Sequence, residues 1–172
     1  ASDSEYSCFA YESGAIRLHL GIAMYNVGKF YDAVSELKTG LKLLKLPSPK
    51  SSGLTLASLT AWGVRTAILG MNPRAEPTKW ENRYGSGASA AQLLASVSLA
   101  YGCLAQSALL TSLRPTVFLF SATKMHEVAC STNDDIGICH GCAWLTTAFC
   151  LTGLKKLANK FCKQAANLAD LH

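Results

Sequence analysis

The chain has 172 residues, 16 Lys+Arg against 11 Asp+Glu, and 49% apolar residues. That length suffices for one buried core, and 16% charge with Leu and Ala recurring throughout excludes intrinsic disorder. The 13 Gly and 5 Pro follow no short period, which excludes a collagenous or low-complexity chain. The net charge of +5 is dispersed, not gathered into the aromatic-interleaved stripe of a nucleic-acid binder.

Helical periodicity dominates and strand alternation is nearly absent. In chain order, the pattern predicts a helix over about 13–27 and a second over about 30–45, ended by Pro47 and Pro49. A third covers about 54–69 and stops at Asn72-Pro73. Residues 73–87 are polar and rich in Gly, Pro and Ser, and read mostly as loop. A fourth helix follows over about 88–105, with room for a fifth at 107–113. Pro115 suits the first turn of a helix running to about 130. Ser131 to Asp134 then form a turn and N-cap for a helix over about 134–151. Gly153 breaks it, and the last helix covers about 154–170.

Two stretches, Tyr84 to Leu113 and Ile136 to Leu154, carry no charge and are long enough to cross a bilayer. Against a membrane, the first holds Gln92, Gln106 and several Ser, the second holds His140 and three Thr, and neither has aromatic belts. Buried helices of a repeat stack explain both better.

The repeat is visible in the residues. Leu20-Gly21, Gly28 and Ala33 recur 42 positions later as Trp62-Gly63, Gly70 and Ala75. Leu145-Thr146, Gly153 and Ala158 repeat the spacing near the end, and Leu99-Ala100, Ser107 and Ser112 match it only in side-chain size. A small residue lets one helix sit close to the next, and a second permits a tight turn. This pattern resembles the tetratricopeptide repeat, most strongly at 17–47 through Leu20, Gly21, Met24, Gly28, Tyr31, Ala33, Leu37 and Leu44. The last copy carries Trp144, Leu145, Gly153, Ala158, Phe161, Ala165 and Leu168. The long spacing is similar to kinesin light chains and to repeat subunits of the anaphase-promoting complex. The resemblance implies one all-α, right-handed solenoid of antiparallel helix pairs, with repeats at about 13–47, 54–87 (degenerate), 88–131 (divergent) and 134–171.

The chemical motifs are weak beside their plainer readings. Cys139-His140-Gly141-Cys142 has C-x-x-C spacing, but no second ligand pair completes a zinc site, so the thiols read as small core residues. Gly85-Ser86-Gly87 lacks the Lys-Ser/Thr of a phosphate loop. His19, His126, His140 and His172 have no carboxylate at a consistent spacing, which argues against a catalytic base, and Asp134-Asp135 reads as helix capping. Lys155, Lys156, Lys160 and Lys163 share one helical face and read as a solvated exterior. Seven cysteines without a secretory leader suggest a reducing, intracellular, cytoplasmic setting, and the ends at Ala1 and His172 fit a piece of a longer chain.

The resemblance also implies a binding groove lined by the first helix of each pair. In the first copy these positions are Ala15, Leu18, Ile22, Tyr25 and Asn26, and in the second Ala57, Thr60, Val64, Ala67 and Ile68. Repeat domains that hold a chaperone's C-terminal carboxylate place Lys and Asn where Leu18 and Ile22 stand, which argues against that role. The expected activity is a non-catalytic scaffold in a multiprotein assembly, without metal or cofactor. Leu18, Ile22, Tyr25, Asn26, Val64 and Ala67 would contact another protein subunit, not nucleic acid or membrane. The competing readings are a helical membrane segment and a regulatory helical region of a larger enzyme.

Overall fold

The computed structural model describes residues 2–49, 88–111 and 115–170, and every regular element among them is an α-helix. In chain order these are α1 (Ser2–Asn26), α2 (Phe30–Leu43), α3 (Ala88–Leu110), α4 (Pro115–Thr132), α5 (Asp135–Leu151) and α6 (Lys155–Ala169). The expected helix at 54–69, the polar segment 73–87 and the second repeat copy lie outside the described residues. The all-α class therefore holds.

The helices pair as α1 with α2, α3 with α4, and α5 with α6. In the first pair, glycines set the approach. A Cβ on Gly14 would lie 2.8 Å from Leu44 Cγ, one on Gly21 2.6 Å from Leu37 Cγ, and one on Gly40 2.8 Å from Leu18 Cδ2. These matches run in opposite directions along the two helices, so the pair is antiparallel. Ala33 is fully buried beside them, as the repeat spacing requires. Arg17 and Glu36 close the outer side with an ion pair at 2.6 Å.

The turns explain why a 125-residue offset links the first and last pairs. Gly28 (φ +80) and Gly153 (φ +76) both occupy the left-handed region that favours glycine. Around the first, Gly28 N–H donates to Tyr25 O at 3.0 Å and Lys29 N–H to Met24 O at 2.9 Å. Around the second, Gly153 N–H donates to Cys150 O at 3.1 Å and Leu154 N–H to Phe149 O at 2.8 Å. Each is a Schellman closure of the leading helix. The third copy differs: Ser107, aligned with these glycines, is fully buried inside α3, which continues to Leu110. The single helix replaces the expected break near 105.

Pairs also contact each other. Helix α3 packs on both α1 and α2, and α5 packs on both α3 and α4. Tyr101 of α3 donates its hydroxyl to Pro47 O at 2.6 Å, fixing α3 to the end of the first pair. Leu18, Leu37 and Leu41 join Leu93, Leu94, Val97 and Leu104 in one core. Half-buried Trp144 of α5 touches this core and the two smaller apolar clusters. Residues 90–110 are long and apolar enough to cross a membrane, with 18 consecutive residues averaging a hydropathy of 1.6, but 67% of those residues are buried inside the structure. Its apolar character is spent on the core.

Candidate protein-interaction face

Of the residues expected to line a groove, Leu18 is a correction. It is fully buried between α1 and α2, because its side chain points at Gly40 rather than away from the pair. Ile22 and Tyr25 are half-buried, as is Ala15, and pack on the core built with α3. Tyr25 tilts against Phe30 with ring centroids 5.5 Å apart, and its burial raises the phenol pKa, with the Cys103 thiol adding to the rise. Asn26 is exposed. Val64 and Ala67 lie outside the described residues, as do Ala57, Thr60 and Ile68.

The 125-residue offset carries the groove positions onto α5. Tyr11, Ala15, Leu18, Ile22, Tyr25 and Asn26 correspond to Ile136, His140, Ala143, Thr147, Cys150 and Leu151. On α1 the first five of these positions are buried or half-buried against the core. On α5 all are exposed except Thr147, which is half-buried and donates its hydroxyl to Ala143 O at 3.1 Å. Ile136 and Leu151 are 66% and 69% exposed. The open face is therefore on the last pair, where the repeat register alone did not direct attention. The clue was present in the sequence: His140, Ala143, Thr147 and Cys150 stand at helical spacing between two large aliphatic residues, Ile136 and Leu151.

The opposite face of α5 is closed by α4, and small residues make that possible. A Cβ on Gly141 would lie 2.9 Å from His126 Cα, and one on Gly137 would lie 2.9 Å from Ala129 Cβ. Buried Leu145 shares an apolar cluster with Ala122 and Ala129 of α4, buried Ala148 shares one with Phe118, and Phe118 meets Trp144 edge-on at 6.0 Å. Asp134 caps α5 by accepting a hydrogen bond from Gly137 N–H at 3.0 Å. Both Asp134 and its glycine thus have structural work, as the capping reading expects.

Titratable groups near this contact are buried rather than poised for chemistry. His126 is 2% exposed, lies edge-on to Phe161 at 5.7 Å and has its ring nitrogens 3.6–3.7 Å from Cys130 Sγ. Burial pushes its pKa down to about 4, with Glu127 opposing the change. Cys142 of the C-x-x-C pair is fully buried, and burial, with Cys130 and Cys139 adding, pushes its thiol up to about 12. Cys139 is half-buried and donates to Ala165 O at 3.5 Å. A thiol so strongly held in its protonated form is a poor nucleophile and metal ligand. Among the described residues no three His, Cys, Asp or Glu side chains are grouped to hold a metal ion.

Two basic features remain. Lys155, Lys156, Lys160 and Lys163 are all exposed on α6. Lys38, Thr39, Lys42, Lys45, Leu46 and Ser48 surround an open pocket of about 450 Å³ at the end of α2. Comparison with known proteins finds no match: no protein-family profile, curated protein sequence or solved structure aligns significantly with the chain.

Proposed function

We propose that this chain is a non-catalytic protein-interaction array of tetratricopeptide type, and that the open face of α5 receives an α-helical segment of a partner protein. One observation carries the reading. The core-facing positions Tyr11, Ala15, Ile22 and Tyr25 of α1 recur on α5 as Ile136, His140, Thr147 and Cys150, beside Ala143 and Leu151, and there all but half-buried Thr147 are exposed. A helix presenting an apolar stripe fits it as Leu93, Leu94 and Val97 of α3 fit α1. The same reading takes the described pairs as turns of a right-handed solenoid. It takes the buried, protonated thiols as suited to a reducing, intracellular assembly.

Binding measured from cell extract at low salt and at about 0.5 M salt tests this, because screening acts mainly on exposed charge. Partner capture should survive the salt and the double variant Lys156→Glu/Lys160→Glu, and should be lost in Leu151→Asp. Capture that vanishes with salt and ignores Leu151→Asp would transfer binding to the lysine face of α6 and end the proposal.

A further inference from the structure

The geometry points to a second interface, on α1: we infer that two copies of this chain associate through antiparallel packing of their α1 helices. The 125-residue offset places Ile16, Leu20, Ala23 and Val27 where α5 has Gly141, Leu145, Ala148 and Thr152. On α5 the first three of these are buried: Gly141 lies against His126 of the antiparallel helix α4, Leu145 shares a cluster with Ala122 and Ala129 of α4, and Ala148 shares one with Phe118 of α4. Ile16, Leu20 and Ala23 on α1 and Val27 in the turn that closes it are all exposed, Ile16 at 66% and Val27 at 71%. A face that takes an antiparallel helix in one pair is thus uncovered in the other, where isoleucine stands in place of Gly141 and valine in place of Thr152.

Three features choose a second α1 as the occupant. The stripe is self-complementary: a two-fold axis between Gly21 and Ile22 sets Ile16 against the partner's Val27 and Leu20 against the partner's Ala23, large against smaller at both levels. The stripe is also free of like-charge conflict. Between Glu12 and Lys29 the one charged residue is Arg17, and Glu36 holds it at 2.6 Å. Finally, a head-to-tail stack would bring α6 of the next copy onto this stripe, and the outer side of α6 carries Lys155, Lys156, Lys160 and Lys163. Four ammonium groups do not suit an apolar face without carboxylates. A contact of one helix length lies at the small end of specific interfaces, so the dimer is concentration-dependent.

Sedimentation velocity of the 172-residue chain across the micromolar range tests the pairing. Wild type should pass from monomer to dimer. Leu20→Glu and Ala23→Lys should each remain monomeric with unchanged helical circular dichroism, since both side chains are exposed. An equimolar mixture of the two variants should recover the dimer, because Glu at 20 then faces Lys at 23 in one half of the interface and the native pair fills the other. A monomer at every concentration, a dimer that persists in Leu20→Glu, or a mixture that stays monomeric would each overturn the inference. The α5 face enters none of these measurements, so failure here is distinguishable from failure of the partner-binding reading.

Discussion

Gly141 of α5 lies so close to His126 of α4 that a Cβ at position 141 would stand 2.9 Å from both the Cα and the Cβ of His126. The position equivalent to Gly141 in the first pair is Ile16, whose side chain is 66% exposed. One repeat position is thus glycine where a helix covers it and isoleucine where none of the described helices does. Substituting Gly141→Ala tests the close approach. Alanine favours the helix by about 1 kcal/mol over glycine, but the contact is with backbone that cannot swing aside. Overpacking of this kind costs roughly 1–3 kcal/mol, so the variant should melt at a lower temperature. Ala23→Gly, on a face of α1 that none of the described helices of the same chain covers, should cost the monomer only the helix-propensity loss.

Burial of His126 makes stability depend on pH. Its folded-state pKa is pushed down to about 4, below the ordinary histidine value of about 6.5. The neutral ring therefore contributes its full stability above about pH 6.5, and this is lost as pH falls, because the unfolded chain takes up a proton that the folded chain resists. Between pH 7 and pH 5 the loss should be about 2 kcal/mol, read from urea midpoints. His126→Leu should flatten that slope, whatever it does to stability at pH 7. An equal slope in the variant would show that other groups set it.

Ser107 and Ser121 are fully buried, and their hydroxyls have no hydrogen-bond partner among the described residues. Desolvating a hydroxyl without a partner costs about 1–3 kcal/mol. Ser107→Ala and Ser121→Ala should accordingly be neutral or raise the melting temperature, unlike most changes at fully buried positions. Losses above about 1 kcal/mol would mean the hydroxyls are satisfied.

Two helix ends use non-glycine residues in the left-handed region, Lys45 (φ 54) and Asn133 (φ 52), at positions where Gly28 and Gly153 close other helices. Asparagine tolerates this conformation better than lysine does. Lys45→Gly should therefore stabilise by up to about 1 kcal/mol, and Asn133→Gly by less. Thermal denaturation of the two variants side by side checks the order.

The local grammar of the chain was readable, and the coverage of its faces was not. Gly28, Gly153, Ala33 and Ala158 mark their turns and contacts in the sequence because tight closure and close packing admit few residue types. Pro115 and Asp134 mark helix starts for similar local reasons. Ser107 misled, since a small residue serves a buried helix interior as well as a turn. Leu18 misled differently: the repeat register gives the angular position of a residue on its helix, but not which face the neighbouring helices cover. That depends on where a pair stands in the stack. In α1 the core takes up Ala15, Leu18, Ile22 and Tyr25, and in α5 the equivalent His140, Ala143 and Cys150 are exposed.

Thiol footprinting tests the central claim most directly, because exposed cysteines stand on both competing surfaces. Cys150 belongs to the open face of α5, and Cys162 lies among the lysines of α6. Alkylation of each is followed by mass spectrometry, first on the free chain and then on the chain recovered with its partner. The partner should protect Cys150 and leave Cys162 reacting at its free rate. Protection of Cys162 with Cys150 still reactive would contradict the account and place the partner on the basic helix.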